Sequence, residues 1–170
     1  MKPRTRKLLW LAAEVLVVAG VYFGIQAWRT RTLPVGPAPS FNVETLAGQR
    51  LSLDDYRGRA VLVHFWATWC PVCHLEQPNI TAVARDWPVI TVAMQSGDAK
   101  HVRQYLKKHG LGWTVIVDES GELSRRFGVQ AVPTDFVIGP QGTIRFAELG
   151  YSTTWGLRAR LWWAAHAASD

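Results

Sequence analysis

Apolar and polar positions alternate along this chain in distinct ways. Residues 8–28, LLWLAAEVLVVAGVYFGIQAW, are apolar with Glu14 as the one formal charge. At about 1.5 Å per residue, a helix over this stretch spans about 31 Å, the thickness of a bilayer's hydrocarbon core. Four basic residues precede it and two follow, a bias that predicts residues 1–7 in the cytoplasm and the remainder exported. Trp10 and Trp28 near its ends suit the membrane–water interfaces. A cleaved signal peptide is the competing reading, with Val18-Ala19-Gly20 as its cleavage region, but apolar residues continue past that point. Residues 29–40 have three prolines in their last seven positions and no apolar periodicity. They read as a stiff linker.

Beyond the linker the pattern changes to short apolar runs separated by amphipathic stretches. Residues 41–45 and 49–53 read as strands around a turn at Gly48. Residues 60–66, AVLVHFW, are almost continuously apolar, the pattern of a strand covered on both faces. A helix is expected over 72–85, with Pro78 removing one backbone donor inside it. Residues 88–94 form a second buried strand. Residues 98–109 have Val102, Tyr105 and Leu106 as an apolar stripe, Asp98 as cap and Gly110 as stop. Residues 113–117 predict a strand and 121–127 a short helix. Residues 134–138 and 143–149 predict a hairpin across Gly139-Pro140-Gln141-Gly142, and 154–167 a closing helix. Strands alternating with helices, then a hairpin, give an α/β domain with a mixed sheet between helices over residues 41–170. Trp155, Trp162 and Trp163 suit either packing of the last helix or a docking patch.

Composition narrows the function. The chain has 170 residues and a net charge of +6, but six of its 19 basic residues and one of its 13 acids precede Ser40. Residues 41–170 therefore carry 13 basic against 12 acidic residues, too little net charge to recruit a nucleic acid backbone. With 48% apolar residues and nine Trp, a disordered chain is excluded. The two cysteines, Cys70 and Cys73, are three positions apart. A bridge over so short a loop adds little stability, so scaffolding is a poor account of them.

Their location suggests chemistry instead. Trp69-Cys70-Pro71-Val72-Cys73 follows a buried strand and opens a helix. A helix N-terminus presents unpaired N–H groups and the positive end of its dipole, which favour a thiolate over a thiol. Cys70 is thereby the expected nucleophile. Cys73, about one turn on, can attack a mixed disulfide formed at Cys70 and release its partner. Pro71 costs nothing in the first turn, where its N–H would be an orphan. Two other readings use the same residues: Cys70-Pro-Val-Cys73-His74 matches the pattern for covalent haem, and two thiolates with His74 could carry copper or zinc.

The stretch VLVHFWATWCPVCHLEQP resembles the active-site segment of thioredoxin-fold proteins, and Ala131-Val132-Pro133-Thr134 resembles their cis-proline loop. Residues 41–58, FNVETLAGQRLSLDDYRG, resemble the entry hairpin of the membrane-anchored, periplasmic TlpA/ResA-like branch. The anchor and TTWGLRARLWWA are similar to the thioredoxin-like proteins of bacterial suppressor-of-copper-sensitivity systems. This resemblance implies a thioredoxin-like fold tethered to the inner membrane, with its domain in the periplasm. It implies a redox disulfide between Cys70 and Cys73, Trp69 as the aromatic flank, Val72 between the thiols, a cis Pro133, and the backbone of Val132 as the receiver of an extended substrate. Electrons would travel on the sulfurs without a dissociable cofactor or metal. Partners would be periplasmic protein thiols or disulfides, with a membrane reductase as electron donor and a link to copper tolerance. One departure stands out: His64 occupies the position where thioredoxin has an acid that assists proton transfer at the second cysteine. An imidazole can serve that relay or simply fill the core. Glu76 matches an acidic position of the TlpA-like motif, either close to the active site or on the helix surface.

Overall fold

The computed structural model describes residues 33–166 continuously. Before them it describes residues 10, 13–18, 20–21 and 24–25, which are helical. Two compact units divide the chain, residues 1–32 and 33–170. About half of the expected span at 8–28 lies outside the described residues. Among the described residues no helix is long and apolar enough to cross a membrane.

In the second unit the elements run β1 (Gly36–Pro37), β2 (Asn42–Glu44), β3 (Arg50–Ser52), a 3-10 turn (Leu53–Tyr56), β4 (Val61–Trp66), α1 (Pro71–Val83), β5 (Val89–Met94), α2 (Ala99–His109), β6 (Val115–Asp118), α3 (Glu122–Arg126), β7 (Thr134–Ile138), β8 (Thr143–Leu149) and α4 (Thr154–His166). The main sheet has strand order β1-β8-β7-β4-β5-β6, and β2 and β3 form a separate hairpin. β4, β5 and β6 are parallel, while β7 and β8 are antiparallel additions. This is the mixed sheet that the strand–helix alternation predicts.

β4 lies near the middle of the sheet and all six of its side chains are buried. Its alternation feeds two faces. Val61, Val63 and Phe65 enter a core with Phe127, Phe136 and Leu123 of α3. Leu62 turns the other way, toward Ile80 and Val83 of α1 and Leu157 and Leu161 of α4. Trp66, at the end of the strand, packs on that side with Cys73, Val102 and Leu106. α2 has the boundaries its caps require: Asp98 accepts the His101 N–H at 2.7 Å, and Gly110 stops it at φ 65°, a left-handed conformation only glycine adopts readily.

Two expectations need correction. Part of the expected linker is built into the domain: Gly36 and Pro37 pair with Ile144 and Thr143 as an edge strand, and Leu33 is buried in the core. The burial of Leu33 and Phe41 anchors the proline-rich segment between them. The tryptophans of α4 do not pack it. Its buried residues are Leu157, Leu161 and Ala164, spaced four and three apart, whereas Trp155 is 79% exposed and Trp162 and Trp163 also face outward.

Candidate active site

The site forms where β4 ends and α1 begins. Cys70 caps α1, its backbone still extended at φ −91° and ψ 112°, and Pro71 takes the first helical position. Cys70 and Cys73 are joined in a disulfide with their Cα atoms 5.3 Å apart. The Cys73 N–H donates to the Cys70 sulfur at 3.2 Å. One of the helix's orphan amides is thus directed at the more N-terminal sulfur, and the dipole acts in the same sense. Both cysteines are largely buried, but Trp69, Val72 and Leu75 around them are exposed.

The partner loop is the one that leads into β7. Val132–Pro133 is a cis peptide bond, and the Cys70 sulfur lies 3.5 Å from the Val132 carbonyl oxygen. Trp69, 60% exposed, donates its indole N–H to the Gln95 carbonyl at 3.0 Å. Gln95 is the one non-glycine residue with positive φ among the described residues, at 43°. The bend after β5 therefore turns that carbonyl toward the aromatic flank. His74 is exposed, its Nε2 3.2 Å from the Thr68 carbonyl oxygen and its ring against Tyr105 and His109. Among the described residues it forms no metal-ligand cluster with the two sulfurs.

Beneath this surface lies a buried polar group. His64 and Asp135 are cross-strand partners in β4 and β7. The His64 Nδ1 and the Asp135 Oδ1 are 2.7 Å apart. Glu76, three residues after Cys73 on α1, completes the group, and the three side chains bring one ligand atom each within 4.8 Å of one another. Glu76 is fully buried, which excludes the helix-surface alternative. Its Oε1 accepts the Ser152 N–H at 2.7 Å. Burial first, and then the charge of Asp135, push the Glu76 carboxyl up to about 9 against the opposing pull of that N–H. It is consequently protonated at neutral pH. His64 Nε2 has no hydrogen-bond partner, while the protonated Glu76 carboxyl shares a side-chain hydrogen bond with Asp135. A His and two carboxylates could hold a divalent ion, but a cation would have to part the direct His64–Asp135 contact.

Sequence reasoning singled out Cys70, Cys73, Trp69, Pro71, Val72, His64, Glu76, Val132 and Pro133, which lie around β4, the start of α1 that follows it and the cis-proline loop before β7. It missed Asp135. It also missed the loop that pins α1 from above, where Asn79 donates to the Tyr151 hydroxyl at 2.8 Å and the Ser152 carbonyl at 2.9 Å.

A disulfide between cysteines three positions apart at the N-terminus of a helix, beside a cis-proline loop at one end of a mixed sheet, defines a thioredoxin-fold dithiol oxidoreductase. Residues 35–147 match the AhpC/TSA family, and the chain belongs to it. Among its relatives, thioredoxin-like protein YneN of Bacillus subtilis is 30% identical over 85% of this chain and 91% of its own length. Thiol-disulfide oxidoreductase ResA of the same organism is 29% identical over 73% of this chain and 72% of its own length. The crystal structure of a thiol:disulfide interchange protein of the thioredoxin family from Chlorobium tepidum superposes with a TM-score of 0.67 at 29% identity, covering 78% of this chain and 97% of that one. The chain is a protein thiol-disulfide oxidoreductase. Such proteins carry electrons on the cysteine pair without an external cofactor, and their partners are protein thiols or disulfides.

Proposed function

We propose that this oxidoreductase is held to the bacterial inner membrane by residues 8–28 and works in the periplasm as a reductase of protein disulfides. Cys70 attacks the partner's disulfide, Cys73 resolves the mixed disulfide, and the backbone at Val132 with cis Pro133 receives the substrate segment. The observation that carries the chemistry is the Cys70 sulfur, which accepts the Cys73 N–H while lying beside the Val132 carbonyl. The anchor rests on the apolar run and its flanking charges. The reducing direction and a membrane reductase as electron donor rest on the resemblance to the TlpA/ResA-like branch. A role in repairing thiols under copper stress rests on the likeness of the C-terminal segment to copper-sensitivity suppressors. Oxidation of thiols by the same site is the alternative, and the reduction potential decides between them.

The test uses the full chain carrying Cys73→Ala, produced in a bacterial cell. Disulfide-linked adducts should accumulate through Cys70 and stay with washed membranes. Absence of adducts would overturn exchange, and adducts in the soluble fraction would overturn the anchor. Equilibration of the parent protein with glutathione should give a potential more reducing than the glutathione couple; a more oxidising one would reverse the direction.

A further inference from the structure

Neither the core nor the redox site uses the outward face of α4. Trp162 and Trp163 stand seven and eight positions after Trp155, which keeps all three within about 100° of the helix circumference. Leu157, Leu161 and Ala164 occupy the other side and are buried. The three tryptophans are 79%, 57% and 56% exposed for Trp155, Trp163 and Trp162. Arg158 flanks them, its guanidinium 6.0 Å from the centre of the Trp155 ring, and His166 stacks on Trp162 at 4.7 Å. Large aromatic rings lined up in one exposed stripe mark a surface that is covered in use. Indoles bordered by cationic side chains suit the interfacial zone of a bilayer, which accommodates both the apolar body of the ring and its polar N–H.

The chain's own connection indicates which surface covers them. The apolar run expected to span a bilayer ends at Trp28, and Leu33 is already buried in the domain core. Five peptide links separate these residues, a reach of at most about 18 Å. The proline-rich segment beyond Leu33 adds no slack, because Gly36 and Pro37 are paired with β8 and Ala38 donates its N–H to the Gly142 carbonyl at 2.9 Å. The chain thus joins the sheet beside the β7–β8 turn. The end of α4 adjoins the same turn: a Cβ at Gly139 would lie 3.6 Å from the Ala164 carbonyl oxygen and 3.2 Å from the side chain of Arg145, an exposed residue. Arg29 and Arg31 fall within the five-link connection, so this end gathers the positive charge that anionic headgroups attract. Along β7, Ile138 next to the turn pairs with Val61, and Thr134 next to the cis-proline pairs with Phe65. The turn and the disulfide therefore lie at opposite ends of the sheet.

We propose that α4 beds Trp162 and Trp163 in the headgroup region of an anionic phospholipid bilayer, so that the domain rests on the membrane with Cys70 and Pro133 at its far end. The inference rests on the anchor proposed above and adds the surface that meets the lipid. Trp155, two turns nearer the start of α4, lies toward the rim of the contact. Resting on lipid limits the rotation of a domain on so short a connection and keeps its reactive end turned toward soluble partners.

The test uses the full chain in vesicles of phosphatidylethanolamine and phosphatidylglycerol that contain a phospholipid with a photoactivated diazirine at its headgroup. After irradiation, trypsin separates residues 161–170, which contain Trp162 and Trp163, from residues 60–85, which contain Trp69. Lipid adducts should be at least about fivefold more abundant on 161–170 than on 60–85. The double variant Trp162→Gln, Trp163→Gln should lose most of that excess while reducing a small disulfide at the parent's rate. A second copy or a protein partner seated on this face would leave 161–170 no more labelled than 60–85, and that result would overturn the proposal, as would an excess that the double variant retains. Failure of the anchor would show separately, as parent protein that does not sediment with the vesicles.

Discussion

Glu76 shows most plainly how one buried side chain couples the site to the stability of the protein. In the unfolded chain its carboxyl titrates in the ordinary range, at about 4.3. In the folded protein burial, reinforced by Asp135, raises it to about 9. Between these limits the native state holds a proton that the unfolded state has lost, so this group's contribution to stability declines as pH rises through the window. Glu76→Gln mimics the protonated form and retains an oxygen for the Ser152 N–H. Urea unfolding at a series of pH values should show the variant gaining stability relative to the parent between pH 5 and pH 8. A difference that stays constant across that range would mean that Glu76 is already ionised in the native state. At this scale the sequence discloses the cysteines, Trp69 and Pro133, because each stands in a short local pattern. It conceals Asp135, because its partner His64 is 71 residues away and only the register of β4 on β7 brings them together. The available sign was a charged residue in Thr134–Ile138, a strand whose five side chains are all buried.

At the scale of elements, β4, β5, α2 and the β7–β8 hairpin follow directly from apolar runs, caps and turn residues, and their bounds match within two residues. α4 is legible as a helix but not in its facing. Its sequence TWGLRARLWWAAH places large apolar residues around most of the circumference, so periodicity alone does not select the face that packs. The sheet selects Leu157 and Leu161, which meet Leu62, Ile80 and Val137. Truncation separates the two sets. Leu161→Ala should cost about 2–5 kcal/mol in denaturant unfolding, while Trp163→Ala, a larger deletion from an exposed position, should change stability by no more than about 0.5 kcal/mol. Comparable losses at the two sites would contradict the assigned packing face. β1 is illegible for a different reason: two residues, Gly and Pro, contain no alternation, and their pairing depends on the edge of β8.

For the whole molecule, the sheet brings three otherwise separate features to one end. It delivers the N-terminus of α1 beside the cis-proline loop, and it buries His64, Glu76 and Asp135 below the sulfurs that react. The exposed Trp69, Val72 and Leu75 leave an apolar margin around the largely buried cysteines. All of this presumes that α1 confers acidity on one thiol. The direct measurement is residue-resolved alkylation of the fully reduced protein with iodoacetamide between pH 4 and pH 10. The Cys70 rate should rise along a titration at least about one unit below the ordinary thiol value of about 8.5, with Cys73 reacting far more slowly. A Cys70 rate that follows the titration of free cysteine would contradict the account at its base.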